Sequence, residues 1–330
     1  MAWSRVLTFD DPMHCQAAIR AGDWQVYPTK KGRFRTELTQ ITLNELWMQG
    51  IHQKLPQIQT GAVIPHRKVI AFITEVHQPA IYHRGHEFSP EDVAVHTDIM
   101  HARAEGDVRY GGMSLPQDCY EAACQTLIGG QFEQPALNNV FRANPAFMRP
   151  LVDLQKTACL IAKTSPALFD LPEVVRAFEQ SSIYLMVKCL TEGARSMTSA
   201  GAQRHEVIVR RFEEFLEANP NTPLYMPEIC AAVGAAERTV RAACEDHLGM
   251  GPIRYLGLRR MHLVHRALLR TDSSKATVTK IATDHGFWEL GRFAVAYRGL
   301  FGESPSATLR RPPEGRAVNL NRPSSLTQMV

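Results

Sequence analysis

LYMPEICAAVGAAERTVRAACEDHLGMGP, residues 224–252, and ATVTKIATDHGFWELGRFAVAYRGLFGESP, residues 276–305, are two versions of one pattern. Each opens with a short helix signal, turns at a glycine and continues into a second helix that carries arginine. Each then ends in Leu-Gly or Phe-Gly followed by proline. In the first copy Ile229 and Val233 lead to Gly234, and Val240, Cys244 and Leu248 follow at i, i+4 and i+8. In the second, Ile281 leads to Gly286 and Phe287, and Phe293, Tyr297 and Phe301 follow at the same spacing. The stripe buries one face of each second helix and turns the polar face outward. Gly234 and Gly286 suit turns with positive φ, a conformation that is strained for residues with a Cβ. Between the copies PIRYLGLRRMHLVHRALLR, residues 252–270, reads as one long helix.

A bracing helix, a tight turn and a second helix that presents its N-terminal residues form the arrangement that reads base edges in a DNA major groove. A long connecting helix would hold two such readers about one DNA turn, ~34 Å, apart. Charge agrees with this. Residues 1–202 carry 19 Lys and Arg against 20 Asp and Glu, whereas residues 250–330 carry 13 against 5. A basic end on a neutral body suggests a phosphate-facing module, although a solvated basic surface has the same composition.

The segment 204–311 resembles the DNA-binding domain of the AraC/XylS family of bacterial regulators. The residues that carry the resemblance are VGAAERTVRAACEDHLGMGPIRYLGLRRM in the first copy and GFWELGRFAVAYRGLFGESPSATLR, 286–310, in the second. Gly286-Phe287-Trp288 followed by Glu289-Leu290-Gly291-Arg292 resembles in particular the ethanolamine-utilisation operon regulators. The resemblance implies base contact from a helix over 237–248, through Arg238, Arg241 and Ala242. Arg238 and Arg241 have the donors for bidentate bonds to guanine. Glu237 accepts from a cytosine amino group or favours the helix N-terminus through the dipole. Thr239 suits a phosphate. In the second helix Leu290, Gly291, Arg292, Ala294 and Val295 take the outward positions. Only Arg292 is a strong donor there, so this copy is expected to supply positioning more than sequence information. Trp288 reads as a buried wedge between helices. Thr277 and Ser304 are expected N-caps, whereas Tyr225 is a poor capping residue for the first copy. Arg254, Arg259, Thr277, Lys280, Arg298 and Ser304 are the phosphate candidates, with Arg260, Lys275, Arg310 and Arg311 in reserve.

The rest of the chain is read as α+β. Short β-branched and apolar runs between about 24 and 116, broken by Pro56, Gly61, Pro65, Pro79 and Gly85, suggest a sandwich or barrel. The family resemblance implies a small cupin-like barrel that senses a small-molecule effector, with helices over about 117–192 that support a homodimer. Helical periodicity is clear over 145–163 and 172–192. The expected organisation is a sensor and dimerisation domain over 1–195, a linker over 196–203, the double DNA-binding unit over 204–311 and a disordered tail over 312–330. Trp24, Tyr27, Phe34, Trp47, Phe72 and Tyr82 are candidates for a cavity wall or for dry core.

His83-Arg84-Gly85-His86 offers ligating side chains without the H-x-H spacing of metal cupins, and no metal or cofactor is expected. Seven cysteines, none in a C-x-x-C pair, argue against a disulfide framework. The first residues lack a signal-peptide core, and no run approaches the ~18 apolar residues of a membrane span. The expectation is a cytoplasmic, non-enzymatic transcriptional activator that binds promoter DNA and contacts RNA polymerase. Two alternatives remain at this point: a metal-dependent cupin-type enzyme with a DNA-binding tail, and a regulator governed by a protein partner instead of a small molecule.

Overall fold

A computed structural model describes residues 2–20, 22–96, 99–129, 140–195, 200–220, 222 and 224–311. Two open antiparallel sheets build the N-terminal part. The larger runs in the order β1 (Trp3–Phe9), β3 (Thr36–Thr42), β4 (Trp47–Gln53), β11 (Val108–Pro116), β6 (Arg67–Ile73), β9 (Asp92–His96), β12 (Val140–Arg142) and β13 (Ala194–Arg195). The smaller runs β2 (Gly22–Pro28), β5 (Gln57–Val63), β10 (Ile99–Ala104), β7 (Ile81–His83) and β8 (His86–Glu87). Among the described residues no ladder closes either sheet on itself or joins it to the other, so the expected closed barrel is corrected to two open sheets. Strands also begin earlier than the sequence suggested: β1 pairs along its whole length with β3, Trp3 opposite Thr42 and Phe9 opposite Thr36.

Helix α1 (Pro12–Ala18) is capped by the Asp11 carboxylate, which accepts from the backbone N–H groups of Met13 and His14. Helices α2 (Gln117–Ile128), α3 (Pro145–Thr164) and α4 (Pro172–Thr191) lie on the larger sheet, the last two over the stretches with helical periodicity. Their buried faces, with Tyr120, Leu151, Ala158, Met186 and Leu190, meet Ile70, Phe72, Val93 and Met113 of the strands in one core. The α3 N-terminus is fixed by Asn144, which accepts from the Ala146 N–H at 3.0 Å, with Pro145 in the first turn.

Helix α5 (Ala200–Ala218) starts inside the stretch assigned to a linker. Residues 200–203 are its first turn, because Ile208, Val209, Phe212 and Leu216 give it an apolar stripe to bury. Residues 196–199 of the expected linker and the tail 312–330 lie outside the described residues. The first repeat copy folds as α6 (Met226–Val233) and α7 (Glu237–Leu248), and α8 (Pro252–Arg270) follows. The second copy folds as α9 (Val278–Asp284) and α10 (Leu290–Phe301), and α11 (Pro305–Leu309) closes it.

The described residues form two compact units: one holds those up to 220 together with 224–258, and the other holds Thr222 with 259–311. The first repeat copy thus shares a unit with the sheets. Its core joins Val209 and Phe212 of α5, Ile229 of α6, Val240 and Cys244 of α7 and Tyr255 of α8 with Tyr27 and Ile58 of the smaller sheet. The second unit has its own core of Val264, Leu268, Ile281, Phe293, Tyr297 and Leu309. All seven cysteines are free thiols. No helix among the described residues is long and apolar enough to cross a membrane.

Candidate nucleic-acid interface

The two copies keep a common frame. Their second helices start at Glu237 and Leu290, are closed by left-handed glycines at 249 and 302, and are followed by helices that begin at Pro252 and Pro305. Each pair of positions is separated by the same interval as Val240 and Phe293. The turns differ by one residue. Gly234 (φ 71°) stands three residues before Glu237, whereas Gly286 (φ 81°) stands four before Leu290. The longer turn lifts Trp288 out of the core: it is 70% exposed, so the expected buried wedge is corrected. Phe287 takes the inner place instead, with its ring centroid 5.0 Å from that of Phe293.

The caps distinguish the copies. Thr277 Oγ1 accepts from the Lys280 N–H at 3.2 Å, and Ser304 Oγ from the Ala307 N–H at 3.2 Å, as expected. Tyr225 has no useful cap oxygen, but its backbone N–H donates to the Glu228 carboxylate at 2.8 Å. That contact is the returning half of a capping box and gives α6 the anchor that Tyr225 lacks. Replacing Glu228 with alanine is therefore expected to cost about 0.5–2 kcal/mol, the usual range for a lost cap, in a denaturant melt of the full-length protein. An unchanged midpoint would mean the contact contributes nothing.

On α7 the first turns face solvent. Glu237, Arg238 and Arg241 are exposed and Thr239 and Ala242 half-buried, whereas Val240, Ala243, Cys244 and Leu248 are buried. Arg241 donates through Nε and Nη2 to Glu237 Oε1 at 2.8 and 2.6 Å, and Arg238 pairs with no other described residue. On α10 the same device recurs, with Arg292 Nη1 2.8 Å from Glu289 Oε2. Gly291, Arg292, Ala294 and Val295 are exposed, Val295 to 75%. Leu290 departs from expectation: it is half-buried and packs on the second core, because the stripe of Phe293 and Tyr297 draws it inward. Arg254, Thr277, Lys280 and Arg298 are exposed, whereas Ser304 is half-buried. Arg259 is only 9% exposed, so it is withdrawn from the surface on which a phosphate contact was expected.

The C-terminal end of α7 is seated on the smaller sheet, a junction that sequence spacing gave no means to find. His247 Nδ1 and His101 Nε2 of β10 lie 2.8 Å apart, and both side chains are buried. Arg84 forms an ion pair with Glu206 of α5 beside them. The His83-Arg84-Gly85-His86 segment is a two-residue hairpin between β7 and β8, with φ of 51° at Arg84 and 79° at Gly85. A Cβ at Gly85 would come within 2.8 Å of the His247 ring. His83 turns inward, its ring centroid 4.7 Å from that of buried His96, and His86 pairs with Asp92 at 3.0 Å. Burial pushes the His247 imidazole down to about 4 and His96 down to about 3, and holds His83 and His101 well below the ordinary histidine value.

Between the sheets lies a cavity lined by residues of both, Trp24, Trp47 and Phe72 among them. Tyr27 and Phe34 belong to other clusters. Tyr82 lies under the Arg103 guanidinium.

Comparison with known proteins gives the arrangement a context. A family model described as a helix-turn-helix domain matches residues 229–311. The probable thc operon regulatory protein of Rhodococcus erythropolis is 39% identical over 106 residues, which span 32% of this chain and 32% of that protein. The XylDLEGF operon transcriptional activator 2 of Pseudomonas putida is 32% identical over 125 residues, which span 38% of this chain and 80% of that protein. The match thus spans about a third of the first relative's length and most of the second's. Among solved structures, the AraC-like transcriptional activator CuxR aligns at a TM-score of 0.42 with 14% identity, over 84% of this chain and 99% of that one.

Proposed function

Because the chain belongs to the AraC/XylS family of transcriptional regulators, we propose that it binds promoter DNA through two helix-turn-helix units and activates transcription in response to a small molecule. The observation that carries this reading is the exposed N-terminal face of α7, with Arg238 and Arg241, set in a frame that α10 repeats. Glu237, Arg238, Thr239, Arg241 and Ala242 are the proposed base and near-base contacts. Arg292, Ala294 and Val295 of α10 supply backbone contact and thymine-methyl packing. Arg254, Lys280 and Arg298 supply phosphate contacts, and Thr277 and Ser304 bind phosphate through the N–H groups of the helix ends they cap.

The remaining parts follow from the family. The segment up to residue 195 is a sensor and dimerisation domain, the segment from 204 to 311 reads DNA as a homodimer, and the bound activator contacts RNA polymerase in the cytoplasm. Effector binding shifts the population between arrangements that engage two half-sites well and poorly. The Gly286-Phe287-Trp288 signature supports a place beside the ethanolamine-utilisation regulators, without extending to their effector.

The test is binding of the full-length protein to the DNA upstream of its own gene, against scrambled DNA, from 50 to 200 mM salt. A site-specific regulator is expected to prefer its own DNA by about 10³-fold or more, on top of a steep salt dependence common to both. Equal affinity for both DNAs at every salt concentration would overturn the reading.

A further inference from the structure

The cavity between the sheets has a volume of about 100 Å³, and none of its lining residues is an aspartate or glutamate. Arg20 reaches it from the end of the α1 segment. The Arg20 guanidinium lies 4.1 Å from the Trp47 ring and 5.0 Å from the Trp3 ring, and it donates to Thr42 Oγ1 at 2.6 Å. Arg5 lies 5.1 Å from Trp3, and Arg67 lies 3.7 Å from Trp47. Three guanidiniums therefore gather around two indoles.

Their hydrogen-bond partners are neutral: Gln40 for Arg5, Thr42 for Arg20, and Ser114 with the Glu45 carbonyl for Arg67. None of the three makes an ion pair with a described residue. Indole faces attract guanidinium, but they do not cancel the repulsion among three like charges that are partly withdrawn from water. Burial and the Arg5 charge both pull the Arg20 guanidinium below its usual value, and it stays charged all the same. An anion at the cavity end of Arg20 removes that imbalance.

The rest of the cavity selects what the anion carries. Trp24, Trp47, Ile51, Val69, Phe88 and Met100 present apolar surface. Three polar atoms of its lining residues are buried without a partner, the Trp24 indole N–H, the Arg103 Nε–H and Gln57 Oε1, whereas buried polar atoms are normally satisfied. A cavity of this size, about two thirds of the ~150 Å³ that holds benzene, suits a short branched chain or at most about one ring, and is too small for a long acyl chain.

We propose that this cavity is an effector site for a small organic carboxylate with an apolar body of about one ring, its carboxylate held by Arg20 beside Trp47. The proposal rests on the reading of the protein as a ligand-responsive regulator. Arg20 supplies charge-assisted hydrogen bonds, the tryptophans and aliphatic side chains cover the apolar body, and the absence of wall carboxylates leaves an amine beside Arg20 without a counter-charge.

The test uses full-length protein and two matched pairs, phenylacetate against phenylacetamide and cyclohexanecarboxylate against cyclohexylmethanol. Acetate and inorganic phosphate report charge without the apolar body. Binding is read by tryptophan fluorescence and by calorimetry, with promoter binding measured on the same preparation. At least one ring carboxylate is expected to saturate the site and to bind at least about tenfold more tightly than its neutral partner, acetate or phosphate. Arg20→Met is expected to lose about 10–100-fold, the range of a charge-assisted bond, and Arg20→Lys to recover part of it. Thermal melts of both variants report whether they fold. Saturation by neither carboxylate, equal binding of the neutral partners, or full affinity in a folded Arg20→Met protein would each overturn the assignment. Selective promoter binding without carboxylate binding would sink this inference alone, whereas loss of selective promoter binding would sink the functional reading.

Discussion

Alanine at both Arg238 and Arg241 is expected to remove most of the site selectivity while leaving most of the salt-dependent binding in place. Each arginine stands on the exposed face of the first turns of α7, opposite the buried Val240, Ala243 and Cys244 that fix the helix to its core. Neither side chain packs in that core, so the double variant should fold normally. A bidentate arginine–guanine contact discriminates against the wrong base by ~1–3 kcal/mol. Loss of two such contacts therefore lowers the preference for the promoter by about 30-fold to 10⁴-fold, if the two add. The salt slope should fall by no more than about two, because base contacts release few counterions.

Glu237 refines the expectation. It holds Arg241 through two short hydrogen bonds, but both partners are about half exposed, so the pair is worth little and yields readily to a base edge. Glu237→Gln is thus expected to leave binding equal or slightly tighter, whereas Arg292→Ala on α10 should weaken specific and nonspecific binding alike. Anisotropy titrations with the promoter and a scrambled duplex separate these outcomes. A double arginine variant with unchanged selectivity would move the reading surface away from α7.

The elements that the sequence placed best are those whose signal is local. The i, i+4, i+8 stripes gave α7 and α10, Gly234 and Gly286 gave the turns, and Thr277 and Ser304 gave their caps. Where the reading departed from the structure, a nonlocal balance decided. One extra residue in the second turn lets Phe287 take the inner position and sends Trp288 to solvent. Tyr225 is a weak cap in isolation, and Glu228 compensates from three residues away. Sheet closure depends on which edges find partners, and alternation along single strands does not encode that. The seat of α7 on β10 joins His101 to His247 across 146 residues, and no spacing rule reaches that far. Arg20 was likewise hidden, because its meaning comes from Trp47 and Arg67 on other strands.

The seat of α7 on β10 makes the protein's stability depend on acid. The His101 and His247 rings share a hydrogen bond with one nitrogen donating and the other accepting, so the acceptor must be neutral. The surrounding groups offer one carboxylate near each flank, Glu206 beside Arg84 and Asp246 beside His205, while His205 and Arg84 disfavour a positive charge on His247, and Arg84 and His83 one on His101. Burial is the largest cause of the depressed His247 value, about 4 against 6.5 for a free imidazole. Between those values the unfolded chain binds the proton and the folded chain does not. Stability is therefore fully present above about pH 6.5, falls as pH drops towards 4, and does not recover below it. A shift of this size corresponds to roughly 3 kcal/mol for His247 alone, with a further loss in the same direction from His101. His247→Gln keeps a hydrogen-bonding side chain without a titrating site. It should lose about 2.5 kcal/mol less than the natural protein between pH 7.5 and 4.5 in denaturant melts, because the full shift is reached only below pH 4. An equal loss in both would show that this contact does not sense protons, and the acid response would then belong to His83 and His96 behind it. A smaller loss in the variant would identify His247, at the junction between β10 and α7, as a group through which acid destabilises this unit.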